Sequence, residues 1–324
     1  MTYHHRGESR ARARMSAACR LAVAATLAIG LLQSPVGAAR AQAPAPREAS
    51  PAMRATAANP ALWIVRDADS TLYLFGTVHF LRPTTEWESP RVTEAFDNAG
   101  LLVLEVADPN DQAALLPLIQ QHGLSPDTPL SSLLTAGELA SLDAAARTIG
   151  ASAGAMDSLR PWLAGVTLSA STLVRAGYDP GSGADLILRA RAEAAGKPIA
   201  GLETPEDQIR MLSGFPEAGQ LTFLRRTLAE FDNALTVPDQ LVEAWAAGEL
   251  EEIESLAVTP MRLESELIYQ TVLVERNMRW ADQIEALLEG SGTAFIAVGV
   301  LHLVGDDSVP AILGLRGVDV VDAP

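Results

Sequence analysis

Two short apolar runs constrain this chain more than anything else in it. "TLYLFGTVH" (71–79) and "TAFIAVGVLH" (293–302) each read as a buried strand, reach a glycine, and place a histidine three residues later. Continuous apolar runs suit strands covered on both faces, as in α/β sheets. Beyond residue 41 the sequence has three histidines, His79, His122 and His302. With glycine at about 7% of residues, a Gly at minus three for two of them is a coincidence of about one in seventy.

Two further runs of strand length carry an acid: Glu105 in "GLLVLEVAD" (100–108) and Glu203 in "GKPIAGLET" (196–204). Ligand sites in open α/β sheets gather at the carboxyl ends of the strands, where glycine lets the backbone turn sharply or approach a ligand closely. Imidazole with carboxylate suits Zn, Mn, Co or Fe. His79, His302 and Glu105 are the candidate metal ligands, and an ion with an open position could activate water. The alternative is that each histidine caps its strand through hydrogen bonds while Glu105 pairs with an arginine. Arg276, in "VERNMRW", is either a surface residue of an amphipathic helix or a cleft residue that pairs with Glu105 or Glu203 or holds a substrate carboxylate bidentately. His122 reads as a surface residue, Asp185 as dipole support in a first helical turn, and Tyr178 as packing beside a turn.

The rest of the pattern fits an α/β chain with a helix-rich middle. "LWIVRD" and "STLYLFGT" read as a hairpin, and "GVDVVDAP" as a last strand. Thr135 and Glu138 make a capping box for a helix to about Ile149, and Thr204-Pro205-Glu206-Asp207 is a strong helix start. Residues 239–256 and 261–289 read as amphipathic helices, the second unusually long. "DPGSGAD" (179–185) reads as a loop.

The N-terminus reads as export machinery. An Arg-rich start, an apolar stretch and Ala39-Arg40-Ala41 predict a signal peptide over 1–41, cleaved after Ala41, with 1–14 as an upstream extension. The Ala/Pro-rich residues 42–60 read as a disordered tether, and 61–324 as the folded domain. The full chain has 24 basic and 40 acidic residues; six arginines and Glu8 leave with the signal, so the mature chain carries a formal charge of −21. Such a surface repels nucleic acid and anionic membranes. The single cysteine, Cys19, also leaves, which excludes disulfides, a thiol nucleophile and thiolate metal sites in the product. No later stretch reads as a membrane span, so the expected location is periplasmic or secreted. A Gly-x-Ser-x-Gly elbow, a Walker loop, a His-Glu-x-x-His helix and a complete Gly-x-Gly-x-x-Gly fingerprint are all missing.

"LWIVRDADSTLYLFGTVHFLRP", "LLVLE", "GKPIAGLETPEDQ", "ERNMRW" and "AFIAVGVLHLVGDDSVPAIL" occur in the order found in the TraB/GumN family (TraB/PrgY/GumN), to which the animal Tiki proteases are similar. The resemblance runs from about Leu62 to Val320. It implies an α/β fold shared with erythromycin-esterase-like and ChaN-like proteins, with two βα-rich halves forming a central sheet and cleft. It also implies a metal site lined by Gly76, His79, Glu105, Gly299 and His302, with Arg276 and Glu203 as catalytic companions to Glu105. The second motif reads Gly-Val-Leu-His where the resemblance leads one to expect a small residue before the histidine, so Leu301 would narrow the approach to the metal. The activity implied is that of a metal-dependent hydrolase, as in the Tiki proteases, with a peptide or small-molecule substrate. Its rivals are a non-catalytic periplasmic binding protein for a peptide, pheromone or haem-like ligand, and an interaction protein using its acidic helical part.

Overall fold

The computed structural model describes residues 58–231 and 236–323. The expected signal peptide and nearly all of the tether lie outside the described residues. Six strands form one mixed sheet: β1 (Leu62–Arg66), β2 (Ser70–Thr77), β3 (Leu101–Val106), β4 (Ile199–Glu203), β5 (Gly292–Gly299) and β6 (Val320–Asp322), in the order β4-β3-β5-β2-β1-β6. The expected hairpin is there, with β1 antiparallel to β2. β6 pairs antiparallel with β1 at the sheet edge, while β2, β5, β3 and β4 run parallel to one another.

Alternate residues of the central strands supply two separate cores. Phe75, Leu102, Leu104 and Phe295 pack on one face; Leu72, Leu74, Val103 and Ile296 pack on the other. That two-sided burial is why the strands read as unbroken apolar runs rather than as alternating ones.

Helices of seven residues or more among the described residues are α1 (Pro90–Asn98), α2 (Gln112–His122), α3 (Ala136–Arg147), α4 (Pro161–Arg175), α5 (Ala184–Ala194), α6 (Pro205–Ser213), α7 (Glu217–Ala229), α8 (Thr236–Ala247), α9 (Glu275–Leu288) and α10 (Val309–Leu315). Both expected caps form: Thr135 with Glu138 starts α3, and Thr204 with Asp207 starts α6. Between β3 and β5 the helices make their own cores, around Trp162, Ile209 and Met261 and around Leu142, Leu168 and Leu224. This is the expected helical middle.

Two helix expectations need correction. The predicted helix over 239–256 stops at Ala247, because Gly248 turns into the left-handed region at φ 76°. The predicted long helix over 261–289 breaks at Ser265, which is extended (φ −156°, ψ 105°) and caps the next turn by accepting from the Ile268 N–H. The apolar periodicity continues across both breaks, so periodicity alone hides them. A π-helical turn, Gln270–Val274, then leads straight into α9. Such turns are frequent at functional sites.

Candidate functional site at the sheet edge

Strand order and register bring the four motif-bearing ends together. Thr77 is the register partner of Gly299, the last pair of β2 and β5. Leu104 pairs with Ala297 across β3 and β5, and Val106 pairs with Glu203 across β3 and β4. Glu203, Glu105, the segment bearing His302 and the segment bearing His79 therefore stand in a row at one edge, as sequence reasoning expected.

The two motif glycines are required by space rather than by backbone conformation, for neither has positive φ. A Cβ on Gly76 would meet Val300 Cγ2 at 2.8 Å, in the turn that carries His302. A Cβ on Gly299 would lie 3.0 Å from Glu105 Oε1 and 3.7 Å from both His79 Nε2 and His302 Cδ2. Each glycine makes room for the other motif or for the acid between them. The close approaches made here are to protein side chains, Val300 at Gly76 and Glu105 at Gly299.

Arg276 organises the buried centre. It sits in the first turn of α9 and is 1% exposed. Its five N–H groups all find acceptors. Nε and Nη2 grip Glu203 at 2.9 Å each. Nη2 also donates to Glu105 Oε2 at 2.7 Å, and Nη1 donates to the Val272 carbonyl at 3.3 Å and to His302 Nε2 at 3.0 Å. A guanidinium can only donate, so His302 Nε2 is the acceptor and the ring proton is on Nδ1. That Nδ1–H donates to Asn277 Oδ1 at 2.6 Å, and the amide's orientation is fixed by Asn277 Nδ2 donating to the Asp307 carbonyl at 2.7 Å. Trp280 packs against both, its ring 4.3 Å from the His302 ring and 4.6 Å from the guanidinium. Burial and the neighbouring guanidinium push the His302 pKa well below its ordinary value, so this ring is neutral.

Glu105 has its other partners elsewhere. Oε1 accepts from the Gly299 N–H at 2.7 Å, and Oε2 also accepts from Gln208 Nε2, on α6, at 3.2 Å. Burial opposes the carboxylate, but Arg276, then His79 and the Gly299 N–H, outweigh it and hold the pKa down at about 2.

His79 is placed differently. The segment 78–81 is pinned to the 179–184 loop by Ala184 N–H to the Val78 carbonyl (3.0 Å) and Asp179 N–H to the Leu81 carbonyl (2.8 Å). This turns His79 Nε2 toward Glu105 Oε1, 3.8 Å away, and Nδ1 toward Asp185 Oδ1, 3.0 Å away. The latter pair lies close but without hydrogen-bond alignment, so charge holds it. Burial works against a charged ring, yet Asp185 and then Glu105 prevail and raise the His79 pKa to about 9.

The sequence-predicted residues thus all converge. His79, Glu105, Glu203, Arg276 and His302 share one cluster, and the alternative in which Glu105 pairs with an arginine describes its Oε2. Asp185, read from sequence as dipole support, is the partner of His79. Gln208 and Asn277 were not foreseen, since a glutamine or asparagine on an amphipathic helix carries no signal of its own. His122 is half-buried, and its carbonyl accepts from Trp162 Nε1.

The donor set fits a divalent ion in part. His79 Nε2 and Glu105 Oε1 face one another beside the space a Cβ on Gly299 would fill, and a carboxylate behind the other nitrogen is the usual support of a metal-binding histidine. Three carboxylates, Glu105, Glu203 and Asp185, outnumber the one buried guanidinium. His302 lies beside this space, but its Nε2 is taken by Arg276. Accordingly, no three acidic, histidine or cysteine side chains among the described residues converge as ligands.

Two cavities meet at the His79–Glu105 pair. The larger, about 80 Å³, is walled mainly by Leu173, Leu241, Val242, Val272, Leu273 and Leu301. The smaller, about 30 Å³, is bordered by Asp185, Gln208 and Pro109. At about 10–15 Å³ per water, the smaller one has room for about two.

A family model described as the TraB/PrgY/gumN family matches residues 61–321. The chain is also similar to the uncharacterized protein YbaP of Escherichia coli (strain K12), 25% identical over 256 residues that make up 78% of this chain and 92% of that protein. The YbaP protein of Shigella flexneri matches with the same identity and coverage.

Proposed function

This chain belongs to the TraB/PrgY/gumN family, and from that premise we propose that it is an exported, metal-dependent hydrolase acting on peptides at the carboxyl edge of its sheet. The observation that carries the reading is the pair His79 Nε2 and Glu105 Oε1, 3.8 Å apart at the junction of two cavities, the smaller of which is bordered by Asp185 and Gln208. His79, once an ion displaced the proton from its Nε2, and Glu105 would hold a divalent ion, Zn, Mn, Co or Fe, with its other positions left to water and substrate. Such an ion supplies Lewis acidity, lowering the pKa of water and polarising a carbonyl.

The chain's own residues do the rest. Asp185 fixes the direction of the His79 ring. Arg276 and the Gly299 N–H keep Glu105 ionised and still, so its Oε1 can hold an ion or orient a water without rearranging. Gln208 and Asp185 offer polar partners to water in the small cavity, on the side of the pair away from the apolar walls. Glu203 neutralises Arg276 from behind and orients it. His302, neutral and locked between Asn277 and Arg276, positions the guanidinium. No helix among the described residues is long and apolar enough to cross a membrane.

Glu105→Gln tests the proposal. The amide keeps the shape but loses a charge, and peptide hydrolysis is expected to fall by about 10²–10⁴-fold with peptide binding within a few-fold of wild type. Assay of both proteins on a mixed peptide library, with Mn, Co, Zn or Fe added in turn, reads this out. Equal hydrolysis by the two proteins would refute the assignment. Binding without turnover in the wild type would favour the binding-protein reading.

A further inference from the structure

We propose that the larger cavity is the subsite for an uncharged, apolar side chain of the substrate, the one flanking the bond to be cleaved. This rests on the hydrolase reading and names its substrate class.

Three elements supply the wall. α4 contributes Leu173, α8 contributes Leu241 and Val242, and the π-helical turn before α9 contributes Val272 and Leu273. Leu301 enters from the turn between Gly299 and His302. The floor is His79, Glu105, Gly299 and His302. A group seated here therefore lies directly against the reacting pair.

The wall carries two polar side chains besides the floor, Thr77 and Tyr178. The Thr77 hydroxyl is buried without a hydrogen-bond partner; it is uncharged and offers an occupant one hydrogen bond at most. The phenol is already engaged. Tyr178 lines the cavity, but its hydroxyl donates to Asp239 Oδ1 at 2.6 Å and accepts from Arg82 Nη1 at 3.3 Å. Arg82 in turn pairs with Asp239 at 2.7 Å. These groups neutralise one another and leave no free charge for an occupant. In a chain with a net charge of −16, a wall without an unpaired carboxylate is informative. A charged side chain would find no free counter-charge on the wall, and the floor's His79 and Glu105 are already paired with Asp185 and Arg276, whereas an aliphatic or aromatic one would gain the transfer free energy of its buried surface. The cavity is several times the room one water needs, which suits a single branched or aromatic side chain.

The second cavity fixes the orientation. The two share His79 and Glu105 and no other lining residue. Apolar substrate thus approaches the pair from one side and water from the other, which keeps the water out of the substrate subsite.

The test uses the full mature chain and blocked peptides Ac-Gly-Xaa-Gly-NH₂ with Xaa as Leu, Phe, Ala, Asp or Lys. Binding is measured by calorimetry on Glu105→Gln and, in parallel, on chelator-treated wild type, so that a folding defect in the variant does not decide the result. Leu or Phe is expected to bind at least tenfold tighter than Ala, and Asp and Lys at least tenfold weaker than Leu. Leu301→Ala, at a half-buried position, is expected to cut the Leu-over-Ala preference at least threefold. Equal affinity for Leu and Asp, or no binding of any peptide, overturns the subsite. N-octanoyl-glycinamide is a further arm: if it binds tenfold tighter than the Leu peptide, the occupant is an acyl chain and the side-chain assignment falls. A Leu preference in binding with no turnover of any peptide upholds the subsite and overturns the hydrolase reading instead.

Discussion

Arg276→Met is expected to cost about 3–5 kcal/mol, because it leaves Glu105 buried without its guanidinium and Glu203 with only the exposed Arg279, 3.5 Å away, as counter-charge. For a domain of this size that corresponds to a fall in Tm of roughly 10–15 °C. The reason lies in the donor count. Every N–H of the guanidinium has an acceptor, two of those acceptors are carboxylates, and the residue is 1% exposed. Methionine replaces the stem and none of the hydrogen bonds. Adding Glu105→Gln and Glu203→Gln to the same chain removes the stranded charges and is expected to restore at least half of the loss. Thermal unfolding of the single and triple variants distinguishes this from an ordinary surface ion pair, whose removal costs about 1 kcal/mol or less. A loss that small would mean that Arg276 does not organise the centre.

Gly183→Ala is the second large effect, and it acts on chemistry more than on stability. Gly183 has φ −58° and ψ 140°, open to any residue, so no backbone strain is involved. What forbids the methyl group is the His79 backbone: a Cβ at 183 would sit 2.8 Å from the His79 carbonyl carbon and closer still to its oxygen, with Asp185 Oδ1 at 3.1 Å. The segment carrying His79 must move, and its partner moves with it. Displacement of a reacting group by about 1 Å can cost 10²-fold in rate. The expected outcome is a loss of hydrolysis of at least that size with about 1–3 kcal/mol of destabilisation. Gly181→Ala, in the same loop, is the control. Its Cβ would meet the Asp179 carboxylate at 3.3 Å and nothing of the site, so activity should stay within a few-fold of wild type. Equal activity in Gly183→Ala would show that the position of His79 is not critical.

The sheet edge was legible in the sequence because each strand is short, apolar on both faces and ends on a chemically distinctive residue. His79, Glu105, Glu203 and His302 could be picked out by that signal alone, and Arg276 by its place in "ERNMRW". The partners that give these residues their properties were not legible. Asp185 looks like any acid in a first helical turn, and "DPGSGAD" looks like a surface loop. Only the tertiary fold shows that Gly183 is pressed against His79 and that Asp185 faces Nδ1. Sequence spacing also treated the two histidines as equivalent ligands, because each follows a glycine by three residues. The structure separates them: His79 has a carboxylate behind it and faces the cavity pair, while His302 is neutral and committed to Arg276 and Asn277. The helix breaks at Gly248 and Ser265 escaped notice for a related reason, since the apolar face they serve continues unbroken on either side.

That asymmetry between the histidines gives the most direct test of the central claim. Chelator-stripped wild type, His79→Ala and His302→Ala would each be titrated with Mn, Co, Zn and Fe by calorimetry. The account predicts one site per chain in the wild type, lost in His79→Ala and retained within a few-fold in His302→Ala. Loss of the site in His302→Ala with retention in His79→Ala, or no metal binding by the wild type, would contradict it.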